Sequence, residues 1–112
     1  MIKNHDYYVY KRLLTHDEQK ALLIECAKAM YEDTGHSWWR QLAKELDISD
    51  VTVRKFLSSA RPTSIPAGIW CDVYNLLVEH GTEKTTAIAK RMKDTGFIND
   101  PIKDYGDDML HW

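Results

Sequence analysis

At 112 residues, 44% of them hydrophobic and 29% charged, the chain has the size and composition of one globular domain with a modest core. No run approaches the roughly 18 uninterrupted apolar residues of a membrane helix. "MIKNHDYYVYKRLL" also lacks the apolar run and small-residue cleavage site of a secretory signal, so a cytoplasmic protein with no membrane role is expected.

Residues 1–14 form an N-terminal extension, in which only "YYVYK" suggests two-residue alternation. Thr15 stands three residues before Glu18, the capping-box spacing, and opens a first helix. Leu22, Leu23, Cys26, Ala27 and Met30 recur along it at helical spacing, and Gly35 marks its stop. A second helix is expected from the Ser37 cap through Trp38 to Leu46, and a third from the Ser49 cap over Asp50 to Ser58. "SSARPT" breaks the third helix, because the residue before Pro62 is pushed out of helical geometry.

"SIPAGIWCDVYNLLVEHG" predicts a fourth helix with Ser64 as cap and Pro66 in the first turn, where a missing N–H costs nothing. Its buried stripe is Ile69, Trp70, Val73, Leu76 and Leu77, and Gly81 ends it. Thr82 caps a fifth helix, with Thr85, Ile88, Ala89 and Met92 on one face. The expected class is all-α: five helices with a central helix-turn-helix over residues 15–95, followed by a C-terminal tail over 96–112.

Several function classes fall away on composition and spacing. Cys26 and Cys71 lie in apolar helical patterns and read as buried thiols rather than a disulfide framework. The five histidines include no pair at zinc-ligand spacing, so neither a metal nor another cofactor is expected. There is no Ser/His/Asp order, glycine-rich phosphate loop or pair of carboxylates at catalytic spacing. "GTEKTT" lacks the leading glycine of a phosphate-binding loop and follows a helix, not a strand. The expectation is a protein that is not an enzyme.

Charge is informative in its distribution. Over residues 37–62, Arg40, Lys44, Arg54, Lys55 and Arg61 oppose Glu45, Asp47 and Asp50, a net of +2. Over residues 82–95, Lys84, Lys90, Arg91 and Lys93 oppose Glu83 and Asp94, again +2. From residue 96 onward four aspartates face Lys103, a net of −3 within a chain whose total is −2. Positive charge is thus gathered in two segments.

In "WRQLAKELDISDVTVRKFL", Leu42, Ala43 and Leu46 fall on one side of a helix, Ile48 sits in a turn, and Val53 and Phe56 form the inward edge of the next helix. Ala43 is small where two steeply crossing helices approach closely, and Asp47 occupies the turn position that needs positive φ. With the "ARPTSIP" linker that follows, the segment from Leu22 to Met92 resembles the lambda-repressor-like helix-turn-helix family. That resemblance implies sequence-specific binding of double-stranded operator DNA, as a symmetric homodimer, by a transcriptional regulator of the kind found in phage and mobile elements. The chain departs from the family at Asp47, where glycine is favoured, at Asp50, which opens the reading helix with an acid, and in its net negative charge.

On this resemblance Ser49, Asp50, Val51, Arg54, Lys55 and Ser58 face base edges in the major groove. Arg54 suits a bidentate guanine contact, Lys55 a guanine or a phosphate, Asp50 a cytosine amino group and Val51 a thymine methyl. The plain alternative for Arg54 and Lys55 is a solvated helix face. Trp39 and Arg40 stand at the start of the second helix, where backbone amides approach phosphate, and of Trp38 and Trp39 one is expected in the core and one on the flank. Arg61 and Thr63 in the following loop, with Lys90 and Arg91 on the fifth helix, complete the phosphate candidates.

The tail "FINDPIKDYGDDMLHW" carries too many apolar groups for a solvated end. It either folds back over the domain or crosses to another subunit or a protein partner, and the aromatic "HDYYVYKRLL" is a candidate for the same interface. The reading the residues favour is a DNA-binding transcriptional regulator, and the alternatives are a protein-binding or inhibitor module on the same scaffold, or a DNA packaging or recombination accessory protein.

Overall fold

The computed structural model describes residues 7–32, 37–58 and 63–100. Five helices make up most of them: α1 (His16–Tyr31), α2 (Trp38–Leu46), α3 (Asp50–Leu57), α4 (Ala67–His80) and α5 (Glu83–Asp94). Two short strands, β1 (Tyr8–Val9) and β2 (Ile98–Asn99), flank them, with a 3-10 turn at Lys11–Leu13 between β1 and α1. The domain is all-α apart from this one ribbon.

The helix starts follow from local chemistry. The Thr15 hydroxyl accepts from the Glu18 N–H at 3.1 Å while the Glu18 carboxylate accepts from the Thr15 N–H at 2.8 Å, so two otherwise orphaned donors are satisfied reciprocally. Ser49 caps α3 through the Thr52 N–H at 3.1 Å. Thr82 and Thr85 build the equivalent box on α5, and the buried Thr85 hydroxyl also donates to the Thr82 carbonyl at 3.2 Å. Each of these caps stands where the sequence places it.

The start of α4 differs from expectation. Pro66 is itself the N-cap, extended at φ −62° and ψ 150°, rather than a first-turn residue, and the Ser64 side chain does not cap the helix. Lys11 is the reason: its ammonium donates to Ser64 Oγ at 3.0 Å and to the Ile65 carbonyl at 2.8 Å. That clamp holds the segment before α4 extended and leaves Ile65 buried in the core.

α1, α4 and the described segments before α1 and after α5 meet around Trp70, which is fully buried. Its indole N–H donates to Gln19 Oε1 at 3.2 Å, and Gln19 Nε2 in turn donates to the carbonyls of Lys11 and Leu14, both at 3.2 Å. The ring also packs edge-on against Phe97, 5.1 Å between centroids. A buried amide and a buried indole thus satisfy each other, avoiding the penalty of about 1–3 kcal/mol for an unpaired group.

The alternation in "YYVYK" is realised as β1, which pairs antiparallel with β2 in the register Tyr8 to Asn99 and Val9 to Ile98. Phe97 and Ile98 are buried, so the start of the tail folds back onto the domain. Ile102, Tyr105, Met109, Leu110 and Trp112 lie outside the described residues, as does Gly35. Lys93 secures this end of the molecule. It bonds Asp100 and lies 5.7 Å from the ring centres of both Tyr7 and Tyr74, and the Asp100 hydrogen bond holds its ammonium above the ordinary lysine range.

Cys26 and Cys71 are both buried thiols outside any disulfide, as the sequence suggests. Burial pushes the Cys26 thiol up to about 12, which keeps it protonated and unreactive at neutral pH.

Between α2 and α3, Asp47 takes the left-handed conformation at φ 58° and ψ 43°. Among the described residues no other non-glycine residue has positive φ. The Ile48 N–H donates to the Ala43 carbonyl at 3.0 Å and the Asp47 N–H to the Lys44 carbonyl at 3.2 Å, the paired bonds of a left-handed helix stop. Asp47→Gly removes the steric cost of that conformation and is expected to stabilise the domain by about 0.5–1 kcal/mol. The check is a higher denaturant midpoint at unchanged slope; an unchanged or lower midpoint contradicts the strain assigned to Asp47.

Candidate nucleic-acid interface

The turn at Asp47 fixes what α3 presents. Val53 and Phe56 face inward, at 0% and 4% exposure, and hold the helix to the core. Helical spacing then places Val51, Arg54 and Lys55 in solvent, with Asp50 partly exposed beside them. Val51 is 57% exposed, an apolar side chain set among charges. Four of the six residues expected at base edges therefore share the outward side of one helix.

The remaining two are placed differently. Ser49 is exposed, but its hydroxyl serves as the α3 cap and lies 2.9 Å from the Thr52 hydroxyl. α3 ends at Leu57, one residue short of the expected boundary, and Ser58 follows in extended conformation at φ −73° and ψ 134°. Its N–H reaches back to the Lys55 carbonyl at 3.3 Å and closes the last turn, so Ser58 is not on the helical face.

Trp39 joins the two helices. The Arg54 guanidinium carbon lies 4.8 Å from the Trp39 ring centre and that of Arg40 lies 5.1 Å from it. Arg40 also stands beside Asp50, with Nε 3.8 Å from the carboxylate, an exposed pair of small energetic weight. The result is a shallow depression lined by Trp38, Trp39, Arg40, Arg54 and Leu57. Its lining combines two indoles with two guanidinium groups.

Trp39 was expected beside phosphate with Arg40, yet it also sits against the side chain expected to read bases. Trp38 and Trp39 are both half-buried, so the division into one core and one flanking tryptophan does not occur. Lys28 of α1 lies 5.9 Å from the Trp38 ring centre, a neighbour that no local pattern marks. The link between Trp39 and Arg54 depends on the angle at which α2 and α3 cross, and no local pattern carries that information.

Other phosphate candidates are not gathered at this face. Lys90 bonds Asp94 at 2.7 Å within α5, and Arg91 bonds Glu25 of α1. Neither lines the depression between α2 and α3. Thr63 is partly buried ahead of α4, and Arg61 lies outside the described residues. At the start of α2 no side chain caps the helix; the Arg40 and Gln41 N–H groups turn to the Ser37 carbonyl, both at 3.1 Å.

No group of three His, Cys, Asp or Glu among the described residues is arranged to hold a metal ion. No helix among them is long and apolar enough to cross a membrane. No protein-family model, curated protein or solved structure matches this chain.

Stacking on Trp39 restricts the Arg54 guanidinium before any ligand arrives, which reduces the ordering cost of a later contact. A double-mutant cycle of Trp39→Ala and Arg54→Ala is expected to return a coupling of about 0.5–1 kcal/mol in folding stability. Additivity of the two substitutions contradicts the stack.

Proposed function

We propose that the chain is a DNA-binding transcriptional regulator of lambda-repressor-like type, acting as a repressor of phage or mobile-element kind. The observation that carries this reading is the α2–Asp47–α3 unit. A left-handed stop between two short helices leaves Asp50, Val51, Arg54 and Lys55 on one outward helical side, with Arg54 and Arg40 set against Trp39. α3 is the length of helix that enters a major groove, and its outward residues are the types that read base edges.

In this mechanism Arg54 takes the N7 and O6 atoms of a guanine, prepositioned by Trp39. Lys55 and Arg40 take phosphate or a neighbouring base edge, and Val51 lies against a thymine methyl. Asp50 has two roles. In the free protein it tempers Arg40, and on DNA it accepts from a cytosine amino group while Arg40 turns to phosphate. A single domain of this size makes few base contacts, so the protein works as a homodimer on a palindromic site. It acts in the cytoplasm, without a cofactor, as a binding protein and not an enzyme.

Arg54→Ala combined with Lys55→Ala tests the reading, with duplexes from the region upstream of its own gene as ligand. Both side chains are exposed, so helicity should be unchanged. Loss of the guanine contact alone should cost about 1–3 kcal/mol, and each phosphate contact removed should lower the salt slope by about one. Binding that is indifferent to the double substitution contradicts the proposal and favours a protein-binding module on the same scaffold.

A further inference from the structure

A second surface shares no lining residue with the α2–α3 depression. An apolar groove of about 470 Å³ runs between α1 and α5, with Leu14, Leu22, Met92 and Phe97 among its lining residues. Leu13, 43% exposed, stands at its edge. Beyond the Arg91–Glu25 ion pair the groove continues between the same helices past Ala29, Ala87 and Ile88. The ion pair is a strap between two apolar depressions.

The two rims carry opposite charge. Along α1 and its C-cap, Glu18, Glu25 and Glu32 recur every two helical turns, with Lys28 among them, for a net of −2. Along α5, Lys84 and Arg91 are also two turns apart and carry +2. Nucleic acid and anionic lipid are repelled by the acidic rim. A uniformly charged protein partner meets one favourable rim and one unfavourable one.

A second copy of this chain, turned about a two-fold axis that runs along the groove, meets both requirements at once. Its acidic rim faces the basic rim of the first, and the converse holds by symmetry. Ala21 and Ala87 are exposed and short, which lets the helices approach. We propose that the α1–α5 groove is a self-association face whose occupant is a second copy of the chain. The inference names a surface that the DNA-binding reading leaves unspecified, and its test contains no DNA, so either can fail alone.

The test uses two full-length charge-reversed variants. One carries Lys84→Glu and Arg91→Glu, the other Glu25→Lys and Glu32→Lys. Wild type is expected to sediment as a dimer at tens of micromolar. Each variant alone places like charges on facing rims and should dimerise about tenfold more weakly or worse at unchanged helicity. An equimolar mixture restores opposite rims and should recover the dimer mass. Ala87→Arg serves as a further probe, because it leaves the Glu25–Arg91 pair intact while blocking close approach, and should also give a monomer. The proposal is overturned by a monomeric wild type, by variants that dimerise as well as wild type, or by folded variants whose mixture stays monomeric. A monomer would leave the groove to the chain's own C-terminal residues or to another protein.

Discussion

The left-handed turn at Asp47 is the constraint on which the candidate interface depends. With φ at 58°, it turns the chain out of α2 so that only Ile48 and the Ser49 cap separate it from α3, and the bonds from Ile48 to Ala43 and from Asp47 to Lys44 close the stop. Ala43, at 1% exposure, keeps the space between the helices small enough for that connection. Everything outward on α3 follows from it. Were the turn longer or of the other hand, Arg54 would not lie over Trp39.

The α2–α3 unit rests on a stiff platform, and residues 7–14 and 96–100 supply part of it. β1 and β2 close the N-terminal segment onto the tail, Lys11 clamps the approach to α4, and Gln19 ties the 3-10 turn to the buried indole of Trp70. These contacts join segments more than fifty residues apart in sequence. None of them involves the outward residues of α3, which stay available to a ligand. The α1–α5 groove shares no lining residue with the α2–α3 depression, so the two proposed surfaces, one for DNA and one for a second copy, need not compete.

The sequence was most legible where the signal is local. The caps at Thr15, Ser49 and Thr82, the glycine stop at Gly81 and the apolar spacing of each helix are written within a few residues, and the structure has them. Asp47 was identifiable because few side chains other than glycine tolerate positive φ. The α4 cap, expected at Ser64, lies two residues later at Pro66, because the deciding contact comes from Lys11, far upstream. The contact of Arg54 with Trp39 was hidden for the same reason, since it is a product of helix crossing. Lys90 and Arg91 looked like surface charge available to phosphate, whereas each is paired with an acid that helical or tertiary geometry brings near.

The central claim is that α3 reads guanine in the major groove, once in each half of a two-fold site. Methylation of guanine N7 by dimethyl sulfate reports on that groove atom directly. On DNA from upstream of its own gene, the account predicts two symmetric patches of protected guanines, about one helical turn apart, with protection lost in Arg54→Ala. DNA bound without any protected guanine N7, or with protection that survives Arg54→Ala, would contradict it.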